Sequence, residues 1–368
     1  MNAPQFASKA TLSAALSAAL ILSACGGGGG GDSNNNSSSN TNTNTQNTVT
    51  ALTTTCAAAV PSSAMLAIAA SGGVASASLT LSGPTVSLNY AASTVNSERA
   101  LPTNAIIATS SDGSCSFTAT NQAQGLKLAL ASSRLGMAYD PSTGEPVLLL
   151  GSLNTDTSAL AGTYNMVRYQ RDVDTTNNNA VSTRTSYATF VINSDQTWAL
   201  YKNADASGTA TATGTLEADG VTGRLLLVTG SGSTRIERGS VFLSGSGSER
   251  ILAVAEHDPS NDGLTPTSGL FIGTPQAAWS TFSASVAGTY QTNSTDPSTK
   301  ALSVSGLSLT PAGGSAITAT ANSPIQGLLT AQSNNHVLLR DGLIAVVNNE
   351  TTGATTSGYL QLGVVPQP

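Results

Sequence analysis

The sequence predicts an all-β protein built of tandem antiparallel sheet modules, on three observations. Apolar and hydroxyl residues alternate with period 2, turn chemistry separates the alternating runs, and 3.6-residue periodicity is scarce. Ser78-Leu79-Thr80-Leu81-Ser82 and Thr85-Val86-Ser87-Leu88-Asn89-Tyr90 alternate cleanly, as do Leu302-Ser303-Val304-Ser305 and Leu307-Ser308-Leu309-Thr310. Each run has one apolar and one hydroxylated face, the pattern of a sheet solvated on one side, and Thr and Val suit strands by shape. Asp-Pro-Ser recurs at Asp140, Asp258 and Asp296. There Asp accepts backbone hydrogen bonds and Pro presets the next φ. The best helical candidate is Ala57–Ala70.

Composition narrows the class. The 368 residues carry 20 acidic and 14 basic side chains, a net charge of −6, where a nucleic-acid binder would show a basic excess. Only the first 25 residues approach the roughly 20 apolar positions that a membrane-spanning helix needs. Leu, Ile and Val recur from residue 60 onward, which a disordered chain would lack.

At the amino end, Lys9 precedes an apolar stretch from Ala10 to Leu22, about the length of a signal-peptide hydrophobic region. The stretch closes on Leu22-Ser23-Ala24-Cys25. This quartet resembles the lipobox of bacterial lipoproteins: an aliphatic residue, two small ones, then the cysteine that is lipidated. The resemblance covers residues 22–25 and implies that 1–24 are removed, that Cys25 carries diacylglycerol, and that its amine is acylated as well. Two or three chains anchor stably, at roughly 0.8 kcal/mol per buried CH₂. Gly26 instead of Asp after the cysteine implies sorting to the outer membrane, with the side of that membrane left open. Residues 25–50, a glycine run followed by Ser, Asn, Thr and Gln, read as a flexible tether.

The other two cysteines, Cys56 and Cys115, form an even pair. In an oxidising envelope compartment the economical expectation is a disulfide. It closes a loop of about 60 residues and contributes roughly 4 kcal/mol.

Three segments share one shape: an Arg, an apolar strand, a polar turn and a Leu/Gly-rich strand. They start at Arg134, Arg250 and Arg340 and read as the closing hairpins of three modules, residues 51–153, 154–278 and 279–368. Ala161-Gly162-Thr163-Tyr164 returns as Ala287-Gly288-Thr289-Tyr290. Two modules with a long insertion remain an alternative. The middle module holds about eight candidate strands between Gly162 and Gly273, and eight antiparallel strands in sequence can close into an up-and-down barrel. A hairpin is expected about Asn193-Ser194-Asp195-Gln196. The Gly-Thr-Tyr opening is similar to the Gly-x-Trp opening of lipocalin-type barrels, so the resemblance implies a lipocalin-like middle module.

Catalytic templates fit poorly. There is no G-x-S-x-G elbow. The two histidines, His257 and His336, read as solvated turn residues. A hydrolase would need a carboxylate pair, for which Glu217, Glu237 and Glu249 near strand ends are the better candidates. Asp258 to Gly263 matches the first half of a calcium loop, but position 12 is Gly269 instead of Glu, so a turn is the expectation and no metal is assigned. No cofactor is implied. Tyr164, Tyr187, Trp198 and Tyr201, with Tyr169, concentrate rings in the middle module, and rings line pockets as readily as they fill cores. The first four form a candidate ligand-binding set. The expected protein is a lipid-anchored outer-membrane component with a non-catalytic binding or structural task. Its partners are the membrane, through the lipid, and an envelope protein or small hydrophobic ligand. The alternatives are a hydrophobic-ligand carrier and an envelope hydrolase.

Overall fold

The computed structural model describes residues 51–368 apart from 93–100, 102–105, 120–126, 141–144, 155, 220–223, 259–266, 282, 293–299, 333–334, 341 and 349–357. Cys25, the expected signal peptide and the tether lie outside the described residues. The chain is all-β, and every strand pairing is antiparallel.

The first sheet is a closed barrel of β1 (Met65–Ala69), β2 (Val74–Ser82), β3 (Thr85–Tyr90), β4 (Ile106–Thr109), β5 (Ser116–Ala119), β6 (Lys127–Ser132), β7 (Leu135–Asp140) and β8 (Glu145–Leu150). Alternation decides what faces inward: β3 reads buried at Val86, Leu88 and Tyr90, with its polar residues only partly covered. The interior is filled by Ala67, Ala77, Leu88, Phe117, Leu130 and their neighbours. Helix α1 (Thr54–Ala59) packs Cys56 and Ala59 against that core. Thr53 caps it by accepting the Cys56 N–H. The helical expectation over Ala57–Ala70 therefore gives way to a helix that ends at Ala59, before Pro61, and a strand from Met65. The strand is covered on both faces, Met65, Ala67 and Ala69 toward the barrel interior and Ile68 toward a second core, and that burial overrides a weak helical pattern.

The second sheet holds β9 (Leu153–Asn154), β10 (Gly162–Asp174), β11 (Ala180–Ile192), β12 (Thr197–Lys202), β13 (Ala212–Ala218), β14 (Leu225–Thr229), β15 (Ile236–Ser244), β16 (Ile251–Asp258) and β17 (Thr267–Pro275). Strands β10 to β17 run round in sequence order, β14 pairs with β15, and β17 returns to β10. The middle module is thus an eight-stranded up-and-down barrel, with β9 added on β15. The expected hairpin joins β11 to β12: Asp195 accepts from the Thr197 N–H and hydroxyl, and Gln196 takes φ +67°.

The third sheet comprises β18 (Ser283–Gln291), β19 (Lys300–Ser305), β20 (Ser308–Pro311), β21 (Ile317–Thr318), β22 (Thr320–Ala321), β23 (Leu329–Ala331), β24 (Asn335–Arg340), β25 (Leu343–Val347) and β26 (Leu360–Val364). It runs β21 to β18, then β26 back to β22. Only Ala319 separates β21 from β22; it is buried, and its N–H bonds Leu307 O. The backbone itself therefore carries the sheet round to a ring. The Gly-Thr-Tyr of the repeat opens β10, with Ala161 just before it, and its second copy lies within β18, the first strands of the second and third rings.

The three Arg-led segments are β7–β8, β16–β17 and β25–β26, each a hairpin whose last strand pairs with the first strand of its own ring. Their double apolarity has a spatial cause. One face looks into the ring and the other into a core shared by all three. Tyr139, Leu148 and Leu150 of the first barrel, Tyr169, Ile251 and Ile272 of the second, and Leu338, Leu343 and Leu362 of the third form one contiguous cluster. The barrels are also tied at their seams. Arg134 pairs with Glu249 at 2.6 Å, the Ser244 hydroxyl donates to Gly151 O, and Thr183 exchanges hydrogen bonds with Gly358. The carboxyl end returns to the first barrel: Gln367 N donates to Leu130 O, and Cys115 N donates to Gln367 O. Cys56 and Cys115 are disulfide-bonded, with Cα atoms 5.1 Å apart. The bridge joins α1 to the edge of β5 where that tail docks.

Candidate functional site

The pleat of β10 sorts its side chains into two sets. Tyr164 and Met166 point into the middle barrel and join its apolar core, while Val167 and Tyr169 point out to the shared core. Continuing inward along the same face come Arg168, Gln170 and Asp172, all less than 9% exposed. The lower half of the interior is filled by Tyr164, Met166, Phe190, Trp198, Val254 and Phe271. The upper half is charged.

Neighbouring strands complete this upper layer by register. Phe271, Gly269 and Thr267 of β17 stand opposite Arg168, Gln170 and Asp172. Glu256 of β16 stands beyond Gly269. Because Gly269 has no side chain, the Gln170 amide reaches across it and donates to both Glu256 oxygens at 2.8 Å. On the other side, Arg184 of β11 donates to Asp172 through Nε and Nη2 at 2.5 and 2.6 Å, and the Thr267 hydroxyl adds a third bond at 2.8 Å. Deeper, the Arg168 guanidinium lies 4.4 Å over the Phe271 ring. Its Nη1 reaches the Ser186 hydroxyl at 3.4 Å, and its Nε is buried without a partner. Burial pulls this guanidinium below its usual range, Glu256 opposing the shift and Arg184 adding to it. Above the layer opens a cup of about 580 Å³ lined by Asp172, Asp174, Ser182, Arg184 and Thr267. Asp174 at the rim is held below the ordinary carboxylate range by the Thr176 hydroxyl and backbone N–H. The cup offers both carboxylate acceptors and guanidinium donors, a chemistry suited to a small polar molecule that can give and take hydrogen bonds.

Burying ions costs free energy that their mutual attraction only partly returns. Among the described residues of the first barrel no charged side chain is buried, so the architecture does not demand charges there.

The four aromatic residues expected to gather round a ligand are divided by the same pleat. Tyr164 and Trp198 lie in the filled floor; the Tyr164 hydroxyl donates to Leu160 O at 2.6 Å, and the Trp198 indole donates to Thr215 O at 3.1 Å. Tyr187 faces outward, its hydroxyl on Asn203 O and its ring edge-on to His336 of the third barrel at 4.6 Å. Tyr201 stands on the outer face opposite Thr189. Nearness in sequence did not become nearness in space. His336, expected in a solvated turn, is instead on β24, 3% exposed, and burial lowers its pKa to about 4. The three glutamates considered as a carboxylate pair each sit with a different arginine: Glu217 with Arg235 at 2.9 Å, Glu237 with Arg224 at 3.9 Å, Glu249 with Arg134. Most of the calcium-like segment lies outside the described residues, and Gly269 is a strand residue. Among the described residues no group of three or more His, Cys, Asp or Glu side chains is placed to hold a metal ion, and no helix is long and apolar enough to cross a membrane.

The charged layer is not among the residues that turn chemistry and ring content single out. Its signal was present: Arg168, Gln170 and Asp172 continue at two-residue spacing the face that Tyr164 and Met166 begin.

Compared with protein-family models, with curated proteins and with solved structures, the chain matches none of them.

Proposed function

We propose that this chain is a lipid-anchored component of a bacterial outer membrane that binds a partner without transforming it, the mouth of the middle barrel serving as its binding cup. The anchor is inferred from the lipobox resemblance at Leu22–Cys25 and the Gly/Asn/Ser/Thr-rich stretch behind it. One observation carries the binding role. Arg168, Gln170, Asp172 and Glu256 are buried in a barrel interior that apolar side chains could fill, and they sit directly beneath an open cup. Polar groups placed at such expense are the mark of recognition. The three rings locked on one core supply a rigid frame for that cup, which limits the ordering cost of binding.

The test is native mass spectrometry of the protein extracted from its own membrane under non-denaturing conditions. The expected result is a bound small polar molecule on the wild type and a bare chain for Arg184→Met. Bare protein from both, or chemical turnover of the recovered molecule by the wild type, would overturn the proposal.

A further inference from the structure

We infer that the seam between the second and third barrels is a binding site for a single pyranose ring. It lies on the outer face of the middle barrel, away from its mouth, so the two sites stand or fall separately.

A cavity of about 230 Å³ opens there, lined by Asn165, Thr274, Trp279, Ser280, Gly327 and Arg340, among others. Asn165, on the outward face of β10, is 1% exposed. Its Nδ2 donates to Gln326 O at 2.6 Å, while its Oδ1 is buried with no donor. Trp279 lies in the connection from β17 to β18. Its backbone N–H is fixed on Asn322 Oδ1 at 2.9 Å, and its indole Nε1 is buried with no acceptor. The wall between them is shaped by Gly327. Its φ is +90°, and a Cβ there would fall 2.4 Å from both Asn165 Nδ2 and Ala277 O, so only glycine lets the two barrels approach this closely. Arg340 closes the opposite side with Nη1 on Pro275 O at 2.9 Å.

Two residues that line this one cavity therefore each keep a buried polar atom without a partner, the two of opposite kind, and leaving such atoms unmade is expensive. An occupant must donate to Asn165 Oδ1 and accept from Trp279 Nε1. A hydroxyl does both. A bare carboxylate has nothing to donate to Asn165, and no carboxylate lines the cavity to attract a cation. The space equals roughly eight water volumes, which suits one sugar ring with the rest of a glycan projecting outward. A pyranose also offers C–H faces to an indole, and aromatic lining with a few placed polar groups is the usual make-up of small-molecule sites. The competing occupant is a water cluster, which would satisfy the same atoms without selectivity.

The test is isothermal titration of the full-length protein with D-glucose, D-galactose and N-acetyl-D-glucosamine, with glycerol as control. At least one sugar should bind saturably in the millimolar range and glycerol should not. Trp279→Phe keeps the ring and removes the donor, so it should weaken that sugar about tenfold. Asn165→Leu should abolish binding with the thermal midpoint checked alongside, and the Trp279→Phe result stands alone should Asn165→Leu fail to fold. Absence of saturation for all three sugars at about 100 mM, far weaker than a millimolar site, overturns the inference. So does an affinity unchanged by Trp279→Phe.

Discussion

Replacing Gly72 with alanine drives a methyl group into the seam between the first and second barrels. Gly72 sits in the turn from β1 to β2 with φ +88°, and a Cβ there would lie 2.7 Å from Glu256 O and 3.0 Å from Gly269 N, both backbone atoms of the middle barrel. Two penalties follow. The left-handed backbone costs an L-residue about 1 kcal/mol, and forcing atoms into a packed seam costs about 1–3 kcal/mol more. The expected loss is therefore about 2–4 kcal/mol, read as a lowered urea midpoint at unchanged slope. Gly83 in the next turn of the same barrel provides the control. Its φ is +60°, and nothing lies within 4 Å of its would-be Cβ, so Gly83→Ala carries only the backbone penalty of about 1 kcal/mol. The difference between the two variants isolates barrel-to-barrel packing. Equal losses would refute the claim that the barrels press together at Gly72.

Three further outcomes are expected. His336 is buried against Tyr187 with both ring nitrogens unpartnered, and burial lowers its pKa to about 4 from 6.5. The unfolded chain therefore binds more protons between those values, and stability is full above pH 6.5 and falls as pH drops to 4, by up to about 3 kcal/mol. Urea unfolding of wild type and His336→Gln at pH 7 and 4.5 checks this, and a pH dependence unaltered by the substitution contradicts it. Cys56→Ala with Cys115→Ala removes a bridge spanning 59 positions and should lower stability by about 3–4 kcal/mol; a loss below about 1 kcal/mol would mean that the tail docking on Cys115 already holds that end. Cys25→Ser should move the protein from the membrane to the soluble fraction on cell fractionation, and unchanged retention defeats the anchor.

How much of this was legible in the sequence depended on whether a signal was local. Alternation in β2, β3 and β19 was readable because it is written within six to nine residues. The closing hairpins were visible as apolar runs after Arg134, Arg250 and Arg340, but the reason for their double apolarity was not, since the shared core joins residues as distant as Ile68 and Val364. Closure of the first barrel was hidden by the brevity of β4 and β5, four residues each, too short to carry a period. The ligand set failed through phase. Tyr164 and Trp198 fall on inward positions and Tyr187 and Tyr201 on outward ones, a distinction that counting rings does not make. The charged layer was lost because Asp172 precedes Asp174 and a run of polar residues that reads as a turn.

The central claim is that the middle barrel holds its charges for a ligand and at the expense of stability. Urea unfolding of Arg168→Met/Gln170→Leu/Glu256→Leu, with Asp172 and Arg184 left paired, tests it most directly. The account predicts a folded protein at least as stable as the wild type, since apolar filling of a buried ionic site is neutral or favourable. A loss of about 3 kcal/mol or more would show that these residues hold the barrel together, and the mouth would lose its claim to be a binding site.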